Sequence, residues 1–190
     1  MGPVCYTPSI MRSKYLQKND PAPTFALPSL DGSDVALEDY RGRKLLLAFF
    51  RYGACPLCNL RMTFLIDAYP RWKAKGLDVV AVFESPAERL LETVASTPIP
   101  FPVIPDPDRA LYKQYGVTAS WLGYLIGALR IRSFSAAFKR GFRPGKGEGA
   151  ISQLPAEFLI GPDQTIARAY YGKDIGDHLP LEEIDVWVAT

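Results

Sequence analysis

The feature that most constrains this chain is the run Lys44-Leu45-Leu46-Leu47-Ala48-Phe49-Phe50, six apolar residues in succession behind one lysine. A strand with one wet face alternates apolar and polar residues, so an unbroken run of this length reads as a strand covered on both faces. Shortly afterwards the period changes. Leu57, Leu60, Phe64, Leu65, Ala68 and Trp72 recur at spacings of three and four, which predicts a helix. Pro70 lies inside that pattern and predicts a kink or an early end. Between strand and helix stands Cys55-Pro56-Leu57-Cys58.

That placement carries the chemistry. Cys55 falls at the helix mouth and Cys58 one turn further in, where residues i and i+3 share a face and can be bridged without large backbone movement. Unpaired N–H groups and the positive end of the helix dipole favour a thiolate at the first cysteine. Arg51 is in place to add Coulombic support, and Pro56 suits a first helical position while stiffening the short ring. Cys55 is then the attacking sulfur and Cys58 the group that closes the disulfide. Two other readings compete. A zinc site needs more ligands than the sequence offers, since neither a second Cys-x-x-Cys nor a His-x₃₋₅-His follows. Two inert buried cysteines remain the plainer reading. No metal and no cofactor is expected.

The remaining pattern fits a single α/β domain. Residues 1–20, which include Cys5, read as an arm, and the domain begins near residue 21. Strands are predicted at 35–37, 78–83 and 99–104, with a hairpin at 157–160 and 165–171. Helices are predicted at 86–96, opened by the capping-box pattern Ser85-Pro86-Ala87-Glu88, at 107–115, and at 181–189. Strand–helix–strand order followed by a hairpin and a helix implies a central mixed sheet with helices on both faces. Residues 118–150 break the rhythm with an apolar helical stretch followed by basic residues. Six basic residues stand there against one acid, Glu148. This insertion reads as a lid whose apolar face covers the domain, with Trp121 and Tyr124 as core residues. A partner surface or an anionic surface are the other readings. A formal net charge of +2 over 190 residues offers no global field for nucleic acid. No apolar run is long enough to span a membrane, and no signal peptide is legible, so a cytoplasmic protein without nucleic-acid or membrane partners is expected. His178 reads as structural, with a distant general base as the alternative.

The stretch Phe50-Arg51-Tyr52-Gly53-Ala54-Cys55-Pro56-Leu57-Cys58-Asn59-Leu60 resembles the active-site segment of the peroxiredoxin-like branch of the alkyl hydroperoxide reductase/thiol-specific antioxidant family. The likeness extends through Pro23 to Gly42, Asp106 to Tyr112 and Leu154 to Ile160. It implies a thioredoxin-like fold over 21–190, with 118–150 as a helical basic insertion. It also implies an antioxidant oxidoreductase that cycles a redox-active Cys55–Cys58 disulfide to reduce a hydroperoxide or a substrate disulfide. A thioredoxin-, glutaredoxin- or glutathione-type reductant would recycle it, and a homodimer is left open. Pro155 falls at the place of the family's cis-proline. Two departures stand out. Tyr52 occupies the position where such proteins carry a threonine or serine, and Pro155 stands where they carry an arginine, so any peroxide-binding apparatus is rebuilt around Arg51 and Tyr52. The alternative is a redox-fold binding or sensing module in which the insertion contacts a partner and the cysteines are not catalytic.

Overall fold

The computed structural model describes residues 15–94, 98–145 and 147–190. Cys5 and most of the N-terminal arm lie outside them, as does Ser96, the predicted end of the second helix.

The continuous apolar run forms β3 (Lys44–Phe49) at the centre of a five-stranded sheet. Its neighbours are β4 (Leu77–Phe83), parallel, and β6 (Ala156–Ile160), antiparallel. β5 (Val103–Pro105) pairs parallel with β4, and β7 (Ile166–Tyr171) antiparallel with β6, giving the order β5-β4-β3-β6-β7. β1 (Ala26–Pro28) and β2 (Asp34–Ala36) form a separate antiparallel pair, followed by a 3₁₀ turn at Leu37–Tyr40.

The period-two geometry of β3 explains why it tolerates no polar position. Leu46, Ala48 and Phe50 point into a core shared with α1 (Pro56–Lys73), α2 (Ala87–Thr93) and α6 (Leu181–Ala189). Leu45, Leu47 and Phe49 point the other way, against α3 (Ala110–Gln114), Phe25, Val35 and Leu37. Helices therefore cover both faces of a mixed sheet, as the pattern implies. Asp106 caps α3 by accepting from the amides of Ala110, Leu111 and Tyr112. The hydroxyl of Tyr112 donates to the carbonyls of Phe50 (2.7 Å) and Val82 (3.1 Å), tying the sheet end beside the cysteines to the opposite layer.

Four expectations need correction. The early end expected at Pro70 does not occur, and α1 runs on to Lys73. The proline is exposed, and Trp72 Nε1 donates to Asp185 of α6 at 2.6 Å, so tertiary contacts hold the last turn. α2 begins without a capping box: Pro86 is its N-cap residue, and the Ser85 side chain is engaged elsewhere. Pro155 is not cis, because no cis peptide bond occurs among the described residues. It is buried where β6 begins, and its carbonyl accepts from Gly172 N–H at 2.9 Å.

The insertion is also packed the other way round. It folds as α4 (Trp121–Ala128) and α5 (Ile131–Lys139), with α5 against α1. Trp121 is 65% exposed and not a core residue, and Tyr124 is half-buried. Apart from Tyr124, α4 packs on the domain through glycine. A Cβ at Gly123 would sit 2.7 Å from the Lys173 carbonyl oxygen, and one at Gly127 would sit 2.3 Å from Ile175 Cγ1. No side chain larger than hydrogen fits that contact.

Candidate active site

Cys55 is the N-cap of α1, with Pro56 at the first helical position. The turn before it is stitched from several directions. Cys55 N–H donates to the Tyr52 carbonyl (3.1 Å), Asn59 Nδ2 donates to the carbonyls of Gly53 (2.7 Å) and Cys55 (3.1 Å), and Gly53 N–H donates to Ser85 Oγ (2.9 Å). A rigid turn at a helix mouth is what holds a sulfur in one position.

Both cysteines are free thiols, and both are buried. Arg51 Nη1 donates to Cys55 Sγ at 3.2 Å. Burial pushes the Cys55 thiol up. A hydrogen bond from Cys58, the Arg51 charge and the amides of Cys58 and Leu57 outweigh it and bring the thiol down to about 6. Cys58 moves the opposite way: burial and its hydrogen bond to the Cys55 sulfur hold it well above an ordinary thiol. The pair thus divides into a thiolate and a thiol, two roles from two environments.

Arg51 itself is 2% exposed. Its guanidinium lies 5.1 Å from the Tyr52 ring and 5.8 Å from that of Tyr124 on α4. Nη2 donates to the carbonyl of Ile151, while Nε is buried with no partner among the described residues. Gly145 and residues 147–151 lie over the site. Gly145 N–H donates to the Ala54 carbonyl at 3.4 Å, and Gly147 lies against the Tyr52 ring. Glu148 accepts from Ser85 Oγ (2.6 Å) and Arg89 Nε (2.7 Å), and Ala150 N–H donates to Glu84 Oε2 (3.0 Å).

Of the sequence-predicted residues, Arg51, Tyr52, Pro56, Cys55 and Cys58 come together. Pro155 lies at the start of β6, the strand whose Ala156 pairs with Phe49 at the end of β3. The Nδ1 of His178 lies 3.1 Å from Glu157 Oε1, and its Nε2 is buried with no partner among the described residues. Sequence reasoning missed Asn59, Ser85, Tyr124 and Glu84. Only Asn59, a polar residue directly behind Cys58 in an apolar helix, gave a local signal.

Glu84 is 1% exposed, and its Oε1 has no hydrogen-bond partner among the described residues. Burial pushes its carboxyl up to about 7, against the Ala150 amide and the charges of Arg109 and Arg51. A carboxyl raised in the folded state is harmless below its ordinary value of 4.5 and costs stability as pH rises through 7. Glu84→Gln should therefore stabilise the protein relative to the parent at pH 8, by up to about 3 kcal/mol, with little gain at pH 4.5. The difference between the two denaturant midpoints, followed across that range, checks this. It also cancels the opposite contribution of Cys55, whose depressed value favours the folded state above pH 6.

Fold and site together define a thioredoxin-like protein with a dithiol at a helix N-terminus. The AhpC/TSA family profile matches residues 19–169, and the chain belongs to that family. Peroxiredoxin Bcp of Escherichia coli K12 is 30% identical over 102 residues, which span 54% of this chain and 65% of Bcp. The chain thus spans just under two thirds of the length of the curated relatives it matches first. Among solved structures, peroxidoxin BcpB from Mycobacterium tuberculosis superposes with a TM-score of 0.65 at 15% identity, covering 92% of this chain and 96% of that one. A Chlorobium tepidum chain described as thiol:disulfide interchange protein DsbE gives the same TM-score at 24% identity, covering 92% and 99%. At these identities the superpositions speak to the fold alone.

Proposed function

We propose that the protein is a thiol-dependent peroxidase in which Cys55 attacks and Cys58 resolves. The reading rests on the 3.2 Å contact between the Arg51 guanidinium and the Cys55 sulfur at a helix mouth, with Cys58 one turn deeper. The Cys55 thiolate displaces an alcohol from a hydroperoxide: the sulfur gains oxygen, the O–O bond breaks, and the leaving alkoxide takes a proton. Cys58 then attacks the sulfenic acid, forming the disulfide and releasing water. Two equivalents of an external thiol, of thioredoxin, glutaredoxin or glutathione type, return both cysteines to the reduced state. The family and the relatives named for peroxide chemistry support this reading. A second reading, reduction of a substrate disulfide by the same pair, is favoured by Tyr52, which puts a ring where the family's hydroxyl would meet a peroxide.

Stopped-flow oxidation of the reduced protein by hydrogen peroxide, an organic hydroperoxide and a small disulfide separates the readings. Peroxides should react far faster than with free cysteine. Thiol loss no faster than that of free cysteine with all three oxidants would leave the non-catalytic module. Cys58→Ser should still consume one equivalent of peroxide and then stall, accumulating a sulfenic acid or a mixed disulfide detectable by mass spectrometry.

A further inference from the structure

α4 is built inside out, and its outer face calls for a partner. Its two glycines make the contact with the domain, while Leu122 (68%), Leu125 (61%), Ile126 (49%) and the following Leu129 (77%) stand in solvent. Trp121 joins them at the N-terminal end. No charged residue occurs from 121 to 129. The surface continues onto α5, where Ile131, Phe134 and Phe138, with Ala128 at the end of α4, line a shallow groove beside Lys139. Monomeric soluble proteins rarely leave a contiguous apolar surface of this kind without a use.

The charge around it says what the use is. Arg132, Lys139 and Arg143 are exposed and make no ion pair among the described residues, while Arg140 is turned over the Phe64 ring of α1. The one acid of the segment, Glu148, is turned toward Arg89 and Ser85. Pairing this face with a second copy would set like charges against each other. A surface that is negative outside and apolar beneath complements it: Leu, Ile and Trp enter the headgroup boundary while Lys and Arg meet phosphate, their stems lying along the apolar rim.

We propose that α4 and the groove-lining face of α5 dock on a bilayer containing anionic phospholipid. Lying on such a surface needs no spanning helix, so the absence of one among the described residues, from which no membrane partner was expected, does not bear on it. Tyr124 of the same helix reaches the Arg51 guanidinium, so docking sets the thiol site one helix width from the lipid.

Co-sedimentation with phosphatidylglycerol-containing and pure phosphatidylcholine vesicles tests it. The reduced full chain should pellet with the anionic vesicles, be released by high salt, and remain in the supernatant with phosphatidylcholine. Leu125→Glu and Leu129→Glu, exposed positions on the side of the helix away from Gly123 and Gly127, should each weaken binding at least tenfold with an unchanged circular dichroism spectrum. A parent protein that stays in solution with both vesicle types would overturn the proposal. So would one that elutes as a dimer which Leu125→Glu dissociates, because that result assigns the face to a second copy.

Discussion

Cys55→Ser is expected to lower peroxide consumption on the order of 10³-fold or more, because the hydroxyl that replaces the thiol is neither ionised nor a soft nucleophile at neutral pH. The loss should not come from misfolding. Serine is among the best N-cap residues, and at position 55 it can accept a hydrogen bond from an early amide of α1, so the variant should fold. Without the thiolate that balances buried Arg51 it should be less stable than the parent at pH 8 and close to it at pH 5. Rapid-quench measurement of residual peroxide, alongside a melting curve, checks both halves. A serine variant that retained turnover would move the attacking role away from Cys55. The pH profile of the parent should follow the thiolate: reactivity rising through about pH 6 and level above it.

Glu157→Ala is expected to destabilise the protein by about 3–5 kcal/mol, since it strands a buried cation. Glu157, fully buried on β6, accepts from Arg61 Nε (2.9 Å) and Nη2 (2.8 Å) and from Leu179 N–H (2.9 Å), and lies 3.1 Å from His178 Nδ1. Burial pushes its carboxyl up, but Arg61 and His178 win and hold it at about 2. The sign follows. A carboxyl depressed in the folded state contributes stability above its ordinary value of 4.5 and surrenders it as pH falls toward 2. The parent should therefore lose stability over that range, and the alanine variant, already without the pair, should lose much less. Urea unfolding at pH 7 and across the acid range reads both effects. Arg61 follows Cys58 by three residues on α1, so the same variant loosens the bolt between the active-site helix and the sheet.

What could be read from the chain depended on whether the physics was local. β3 and α1 were legible because their periods are written in consecutive residues, and with them the placement of Cys55 and Cys58 was legible too. α6 was legible for the same reason, its start marked by Pro180. Ser85 misled because its side chain answers Gly53 and Glu148, residues far off in the sequence, rather than its own helix. Pro70 misled because a break that looks decisive in the sequence falls near a helix end held by Asp185. The insertion misled most. Its large apolar residues look like the buried face until the backbone at 173–175 is seen to leave room only for glycine. Glu84 left no mark at all, since a carboxylate after a strand is ordinarily a wet one.

One further consequence lies in the cation behind the sulfur. An arginine keeps its charge at every accessible pH, so Arg51 is balanced only while Cys55 carries its own. Joining Cys55 to Cys58 would erase the anion and leave a guanidinium almost wholly out of water, with Nε already lacking an acceptor. Whatever steadies the anion therefore weights the two-electron equilibrium toward the dithiol, and the bridged form becomes a ready acceptor of electrons from the next thiol it meets.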